Sequence, residues 1–388
     1  MKVSEVLINV DGHHFTRCFE ALEDLRASAQ MRYPMSEVLF LVICSVLSGY
    51  ESNRAIEEFG QLKLDWLRQY YPFVHGIPTH ETIGNIIGII DKQSFESSFL
   101  KWVQLEFGEQ ATGLLHIDGK RIRSSANKEL QDLPSSQGGQ SSALIVNTYA
   151  SATKLVVAQA DVSDSGDEKE GARRLIEQLH LKNSLLTGDG NYCTKDMLKR
   201  IRNKQGHYLM TLKRNNPILF DLAEQYFGDV RIDKMPHYTE ELGHGRYERR
   251  TYHAISTNTL HHPKLKEYAD LHKIIRVRRQ REVTRKKQAE PIDTVHYYIT
   301  SSDRPIVQLA DAIRSHWQIE NNLHWVLDVE FNEDDSRKRI GNQAANFSLI
   351  RKIALNMIEK VRNKKSIKAI RMACAVSDHK RHQILGFP

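Results

Sequence analysis

The sequence predicts an α/β protein built around a mixed β-sheet. Helical periodicity dominates the start of the chain, short apolar runs then alternate with amphipathic helical patterns, and a β-rich stretch precedes a final helical region. We therefore divide the 388 residues into four parts. These are a helical domain at 1–108, the first part of the sheet core at 109–228, a β-rich insertion at 229–300, and the second part of the core with C-terminal helices at 301–388.

The N-terminal part contains helical patterns from about residue 15 to 105. Its longest apolar run, 38–47, predicts a buried helix and is too short to cross a bilayer, which needs about 20 residues. A further helix is expected near Ile83, with Thr79 or Thr82 as the residue that caps its first turn.

The core part shows short apolar runs of strand length, interrupted by two amphipathic patterns. Two of the strands end in an acidic residue, Asp118 and Asp189. In chain order we expect strands at 114–118, 143–150 and 155–160, a helix at 168–179, a strand at 184–189, a basic helix at 194–204, and a strand at 207–212.

The final region begins with a long helix, for which Asp303 is a candidate N-cap and Pro305 lies in the first turn. Apolar residues recur there at helical spacing, and Glu320 continues the same stripe. Its members are Ile306, Leu309, Ile313 and Trp317. A carboxylate facing a core is costly unless a cation meets it, so we expect Glu320 to have a cationic partner.

Asp118, Asp189 and Glu320 together suggest a divalent-metal site. Mg²⁺ prefers hard oxygen ligands, and two such ions can activate the attacking oxygen and stabilise the leaving one in phosphodiester chemistry. Taken singly, each acid has a plainer interpretation. An aspartate at a strand end is usually a turn or cap residue, and Glu320 could pair with Arg314 or His324. The order strand-Asp, strand-Asp, helix-Glu after an insertion is more specific.

At these motifs the chain resembles the DDE transposases of bacterial insertion sequences, in the group that includes the H-repeat-associated proteins of Rhs elements. The motifs are His116-Ile-Asp-Gly-Lys-Arg-Ile-Arg, Leu186-Thr-Gly-Asp-Gly, and His316-Trp-Gln-Ile-Glu-Asn-Asn-Leu-His-Trp-Val-Leu-Asp-Val. The resemblance covers nearly the whole chain. It implies a ribonuclease-H-like core, and it implies that Asp118, Asp189 and Glu320 are the catalytic, metal-binding triad, with Mg²⁺ as the cofactor and Mn²⁺ as a substitute.

The chain departs from the family at three places. Gly188 and Gly190 flank the second acid, where the family often has an alanine, and the loop at 213–216 reads Lys-Arg-Asn-Asn instead of Lys-Gly-Asn-Gln. His316 and Leu327 stand where a sister group has a catalytic Arg and Lys, so no catalytic Arg or Lys is carried over.

Other residues near Glu320 have competing interpretations. His324 and Asp328 are candidates for supporting the triad from behind, although packing is as good an explanation for His324. His316, Glu320 and His324 lie on one helix face and could form a zinc site, which we consider the weaker alternative. Asp328 and residues 333–335 are rival third acids, with 333–335 expected in a solvated turn. For Trp317 and Trp325 we expect core packing rather than base stacking.

The net charge of +7 and the pI near 9.0 favour a polyanionic partner. A charge run is usually only a solvated face, but with a DNA substrate the basic runs become candidates for phosphate contacts. The densest run is 276–287. The candidate DNA-binding residues are Lys120, Arg121, Lys195, Lys199, Lys213, Arg276, Arg278 and Arg279.

We therefore predict a transposase that cleaves phosphodiesters at insertion-sequence ends and transfers the strands to target DNA by two-metal catalysis. The predicted partners are double-stranded DNA with terminal inverted repeats and target DNA, bound by a homo-oligomer. The alternatives are a catalytically decayed DNA-binding remnant and a nuclease without strand joining. Four scattered cysteines and the lack of a signal-peptide pattern favour a cytoplasmic protein that contacts no membrane.

Overall fold

The computed structural model describes residues 13–24, 26, 31–126, 142–228, 236–243, 246–283 and 292–387. Part of the predicted basic run, 284–287, lies outside the described residues. The chain forms two compact units. The first unit is Met1–Ala111, Gly119–Gly171 and Glu320–Pro388, and the second is Thr112–Asp118 and Ala172–Ile319.

The described residues contain nine strands in one sheet, with the order β3-β2-β1-β4-β5-β9-β8-β7-β6. The strands are β1 Leu114–Ile122, β2 Ala143–Ala150, β3 Leu155–Asp161, β4 Leu185–Gly188, β5 His207–Leu212, β6 His237–Gly243, β7 Arg246–Ser256, β8 Lys273–Val283 and β9 Ile292–Thr300. β1 pairs with β4, and β4 with β5, in parallel. The pairs β2–β3, β5–β9, β9–β8, β8–β7 and β7–β6 are antiparallel. The predicted α/β fold with a mixed sheet is confirmed.

The α-helices of the described residues are α1 His14–Phe19, α2 Met35–Leu47, α3 Asn53–Leu62, α4 Leu64–Leu67, α5 His80–Ile89, α6 Lys92–Phe107, α7 Glu168–Gln178, α8 Lys195–Asn203, α9 Pro217–Gly228, α10 Ile306–Ser315, α11 Trp325–Glu330, α12 Gln343–Val361, α13 Ile367–Val376 and α14 Asp378–Leu385. A π-helix, Ile319–His324, precedes α11. Thr79 caps α5 by accepting a hydrogen bond from the Thr82 amide, as one of the two predicted caps. Thr194 caps the predicted basic helix in the same way.

The core of the first unit is built on two apolar helices, α2 and α12. Almost every side chain of α2 is buried, as expected from its unbroken apolar run. α12 packs against α2, α5, α6 and β3, so the N-terminal helices and the C-terminal helices share one core. Burial of this kind contributes roughly 25 cal/mol per Å² of apolar surface removed from water.

The core of the second unit lies between α10 and one face of the sheet. Leu309, Ala310, Ala312 and Ile313 of α10 pack on side chains from six strands. The strand residues are Leu114, Leu185, Leu209, Tyr252, Ile275, Val277 and Tyr298. Because residues two apart on a strand share a face, this contact defines which strand residues face α10.

The predicted β-rich insertion continues the sheet of the second unit. β9 pairs with β5, and Tyr297 lies opposite both Leu212 and Arg276. β5 ends at Leu212, but β8 runs on to Val283. At about 3.3 Å per residue, Arg281 therefore lies about 17 Å further along the strand direction than Arg276. The insertion thus extends beyond the carboxyl edge of β5.

Two predicted boundaries are wrong. β1 does not end at Asp118 but runs to Ile122, so Asp118-Gly-Lys is strand and not a turn. The Glu168 side chain packs against Gly119, where a Cβ would lie 2.7 Å from Cδ of Glu168. α10 begins at Ile306 with Pro305 at the cap position and no side-chain cap, so Asp303 is not the N-cap.

Replacing Leu309 by alanine tests the core of the second unit. Leu309 is fully buried between α10 and the sheet, so the truncation should lower the free energy of unfolding by about 2–5 kcal/mol. Val307→Ala is the control, because Val307 lies on the same helix and is 49% exposed. Equal effects of the two substitutions in urea denaturation would contradict this packing.

Candidate active site

Asp118 and Asp189 lie next to each other on two parallel strands of the second unit. In the register of β1 and β4, Ile117 is opposite Gly188, so the residue after each is an aspartate. Asp189 keeps an extended backbone although β4 has ended. Neighbouring strands are about 4.8 Å apart. The two carboxylates therefore leave the sheet side by side at the edge where β4 ends.

Three hydrogen-bonded side chains, His116, Thr187 and His316, form a buried layer beside the two aspartates. His116 and Thr187 occupy the positions two residues earlier on the same strands, and hence the same face. Oγ1 of Thr187 lies 2.6 Å from Nδ1 of His116 and 2.8 Å from Nδ1 of His316, which follows α10. This layer joins both aspartate-bearing strands to the helix that precedes Glu320. Sequence reasoning missed His116 and Thr187, although both belong to the quoted motifs.

The shared hydroxyl constrains the protons of both imidazoles. Thr187 has one hydroxyl hydrogen, so it donates to one Nδ1 and accepts from the other. If both rings are neutral, one imidazole carries its hydrogen on Nδ1 and the other carries it on Nε2. Burial is the main reason that the pKa of His116 is lowered to about 3. Burial also lowers the pKa of His316 to about 4, although the charge of Asp189 opposes this shift. Both histidines are therefore neutral near pH 7.

Asp189 caps the turn that follows it and also forms an ion pair with Lys213. Its carboxylate accepts from the amide of Gly190 and so caps a short 3₁₀ turn, which was its plainer interpretation. Nζ of Lys213 lies 2.7 Å from Oδ1 and 2.9 Å from Oδ2. A Cβ on Gly190 would lie 2.7 Å from the Lys213 side chain, so glycine at 190 leaves room for this lysine.

The loop after β5 packs on the turn that follows Asp189. Nδ2 of Asn215 donates to the carbonyl of Gly190 at 2.7 Å, and Nδ2 of Asn216 donates to the carbonyl of Cys193 at 2.8 Å. These two bonds hold the loop in the position that brings Lys213 to Asp189. The changed 213–216 sequence therefore has a structural role in the second unit.

Glu320 is exposed, so its predicted place on the apolar side of the helix is wrong. Trp317 and Trp325 are also exposed, by 57% and 55%, and do not pack in the core as expected. Ile319, Leu323 and Leu327 are buried instead. The helix is broken at His316 and is a π-helix from Ile319 to His324, so a 3.6-residue period does not extrapolate through it. Single-turn π segments are frequent at functional sites.

The donor chemistry of Asp118 and Asp189 fits a hard cation such as Mg²⁺. Among the described residues, however, no three His, Cys, Asp or Glu side chains are grouped so that they could hold a metal ion. His316 is bonded to Thr187, and Asp189 is bonded to Lys213.

The two candidates behind Glu320 lie in a buried part of the first unit. Burial raises the pKa of Asp328, although Nζ of Lys120 donates to its carboxylate. Burial, and to a smaller extent the charge of Lys120, lowers the pKa of His324 to about 3. Glu333 is 1% exposed, so the expectation of a solvated turn at 333–335 is wrong for this residue.

Three of the basic candidates follow the aspartates along the chain. Arg121 and Lys199 are exposed. Lys195 is exposed as well, donates to Glu267 and lies over the ring of Tyr268. Lys120 differs from these because it is buried and ion-paired within the first unit.

The three arginines of β8 have different surroundings. Arg278 is exposed and pairs with Asp293 on the neighbouring strand. Arg279 is partly buried and pairs with Glu248 at 2.5 Å. Arg276 is partly buried and donates to the carbonyl of Phe227 at 2.8 Å.

A family model for the transposase DDE domain matches residues 110–357. The chain belongs to the transposase DDE domain family. A second model, described as DDE_Tnp_1-associated, matches residues 16–103. The predicted resemblance is thereby confirmed.

Two of the relatives that the chain matches are named putative transposases. It is 34% identical to "Putative transposase YncI" of Escherichia coli O157:H7 over 345 residues, which are 87% of this chain and 85% of the relative. It is 32% identical to "H repeat-associated putative transposase YhhI" of Escherichia coli strain K12 over 340 residues, 87% of this chain and 88% of the relative. A piggyBac transposase in a synaptic complex with hairpin DNA is similar with a TM-score of 0.41 and 12% identity, over 100% of this chain and 80% of that one.

Within the described part of the chain, no helix has the length and apolarity needed to cross a membrane.

Replacing His316 by glutamine tests the neutral, buried layer through its pH dependence. The folded protein keeps His316 neutral down to about pH 4, whereas an ordinary histidine takes up a proton near 6.5. The unfolded state therefore binds more protons between these values, and the contribution to stability is lost as the pH falls through this window. One such group gives a slope of up to about 1.4 kcal/mol per pH unit. His316→Gln should make the decline of the unfolding free energy below pH 6.5 less steep.

His379→Gln is the control for this measurement, because His379 is exposed. It should leave the unfolding free energy nearly unchanged, because it removes no buried contact. The layer would be excluded if wild type and His316→Gln declined with the same slope between pH 6.5 and pH 4.

Proposed function

We propose that this protein is a divalent-metal-dependent DNA transposase with Asp118, Asp189 and Glu320 as its catalytic residues. The observation that carries the proposal is the register of β1 and β4, which sets Asp118 beside Asp189 at the sheet edge where β4 ends. Membership of the transposase DDE domain family and the transposase names of the relatives support it. Glu320 completes the set as the exposed acid of the motif helix.

The three carboxylates would hold Mg²⁺, for which Mn²⁺ can substitute. Bound there, Mg²⁺ supplies Lewis-acid stabilisation of the charge that develops on the attacking and leaving oxygens of a phosphodiester. Asp118 and Asp189 are held by a rigid parallel pair of strands, which fixes their spacing before substrate arrives. The neutral histidines beneath them add no positive charge that would compete for the carboxylates.

The reaction is phosphodiester cleavage followed by strand transfer. Water attacks a phosphodiester at the element end, one oxygen leaves as a 3′-hydroxyl, and this hydroxyl then attacks a phosphodiester of target DNA. Each step breaks one ester bond and forms one bond to phosphorus. Joining of two element ends calls for a homo-oligomer on DNA with terminal inverted repeats.

Cations of the second unit would bind the DNA backbone. Lys199 lies on α8, which follows the Asp189 turn. Arg278, Arg279 and Arg281 lie on the part of β8 that extends beyond the carboxyl edge of β5. These positions project from the edge that bears Asp118 and Asp189, where a bound duplex would have to lie. Phosphate contacts of this kind give affinity without sequence preference.

Asp118→Asn, Asp189→Asn and Glu320→Gln should each abolish metal-dependent cleavage of labelled DNA that carries the element ends. Loss of one ligand removes several kcal/mol of transition-state stabilisation, which corresponds to at least about a hundredfold in rate. DNA binding without metal should be retained, because the triad makes no phosphate contact of its own.

Asp221→Asn is the matched control, since Asp221 is an exposed acid on α9 and should be replaceable without loss of activity. Full cleavage activity in any of the three triad variants would remove that residue from the site. Wild-type protein that binds the ends but never cleaves them would favour the decayed DNA-binding remnant, and cleavage without joined products would favour the nuclease.

Lys199→Gln should weaken DNA binding at every sequence and reduce its salt dependence. Removing one phosphate contact should lower the slope of log affinity against log salt by about one. Lys182→Gln is the control, because Lys182 is exposed in the segment before β4, at the opposite edge of the sheet. Identical affinities and slopes for the two variants would exclude Lys199 from the interface.

A further inference from the structure

The first unit contains a buried network of charges around Lys120. The side chain of Lys120 is 8% exposed, and its ammonium donates to Asp328 and, at 2.9 Å, to Glu333. Asp334 lies 3.8 Å from the same nitrogen. The Glu333 carboxylate also accepts from Ser348 at 2.8 Å, and Lys352 donates to Ser348 at 2.9 Å. The network therefore joins β1, α11, the segment after it, and α12.

The protonation of this network follows from burial and charge. Burial by itself would raise the pKa of Glu333, but Lys120, Lys352 and Arg351 outweigh it and hold the pKa at about 2. Burial likewise opposes the charge of Lys120, yet Glu333 and Asp328 keep its pKa above the ordinary value. Lys120 and Glu333 thus form a charged pair in a buried environment.

Such a pair is poorly explained by stability alone. Taking two charges out of water costs several kcal/mol each, and well-packed apolar residues are often as stable in their place. Buried ionic groups are useful where a specific arrangement must be selected, because a misplaced partner leaves an uncompensated charge. What the Lys120 network selects is the alignment of one strand with one helix.

That strand and helix are the ones that carry proposed catalytic residues. Lys120 is two residues after Asp118 on β1, on the same face and about 7 Å further along the strand. Asp328 is on α11, which continues the helical segment that contains Glu320. Lys120 and Asp328 therefore tie the strand that carries Asp118 to the helix that carries Glu320.

We propose that Lys120 is a positioning residue that holds the helical segment of Glu320 against β1, the strand of Asp118, through its buried ion pairs with Asp328 and Glu333. This role rests on the proposed function, since it concerns two of its catalytic residues. It also replaces the sequence-based interpretation of Lys120 as a DNA contact. A buried ammonium shared by acidic side chains has neither the exposure nor the free charge that a phosphate contact requires.

The first test measures Mn²⁺ binding to the full chain without DNA, by water-proton relaxation. Lys120→Met keeps the length of the side chain and removes its charge. Because the acids lose their alignment, the Mn²⁺ dissociation constant should rise several-fold, and Lys120→Arg should recover most of the loss. Removal of a positive charge acting only through electrostatics would instead tighten Mn²⁺ binding. An unchanged or lower dissociation constant in Lys120→Met would overturn the proposal, even if the melting temperature fell.

Arg123→Met is the matched control. Arg123 pairs with Asp334 at 2.6 Å at the end of the same strand, but its side chain is 82% exposed. It should leave Mn²⁺ affinity unchanged. DNA binding without metal supplies a second readout. A drop in affinity with a smaller salt slope in Lys120→Met would restore the DNA-contact interpretation and overturn ours.

Hydrogen exchange separates failure of this inference from failure of the proposed function. In Lys120→Met, exchange should accelerate in peptides covering 114–122 and 320–330 together, whereas Arg123→Met should leave 320–330 unchanged. If wild type binds no Mn²⁺ and cleaves no DNA, the proposed function fails, and coupled exchange would still establish the alignment. If wild type binds Mn²⁺ and exchange in the two segments is uncoupled, only the inference fails.

Should Lys120→Met not fold, Asp328→Asn takes its place, because it leaves the pair of Lys120 and Glu333 intact.

Discussion

The parallel pairing of β1 with β4 is the constraint on which the candidate site depends. A shift of one residue in this register would turn one aspartate to the opposite face of the sheet and separate the two carboxylates. The register is secured twice on the α10 face. Apolar side chains such as Leu114 and Leu185 pack on α10, and Thr187 bonds to both His116 and His316. Packing and a polar layer thus specify the same alignment.

Polar groups are buried in this protein where alignment matters. The Thr187 layer in the second unit and the Lys120 network in the first both cost desolvation, and both form directional bonds to specific partners. Each lies two residues from an aspartate of the proposed triad. A carboxylate that binds a metal must be positioned to within a few tenths of an ångström. Directional hydrogen bonds and ion pairs restrain the backbone around it more tightly than apolar contacts do.

Much of the local structure could be predicted from the sequence, because it depends on local chemistry. The apolar runs of β2, β3 and β5, the cap at Thr79, and the basic helix α8 are all found where the patterns place them. The helical period failed after His316, since a π-helix changes the rotation per residue. Glu320 and Trp325, which lie within and directly after this π-helix, are exposed.

The sequence by itself determined the fold class, the family and the order of the acidic residues, because strand alternation, helix periodicity and long motifs are written along the chain. Only the tertiary structure decided which charges meet. Lys120 and Lys213 look alike in sequence, yet one is buried among carboxylates and the other pairs with Asp189 at an exposed edge. Ion pairs between elements depend on distances of a few ångströms, and these distances are fixed by packing between segments far apart in the chain.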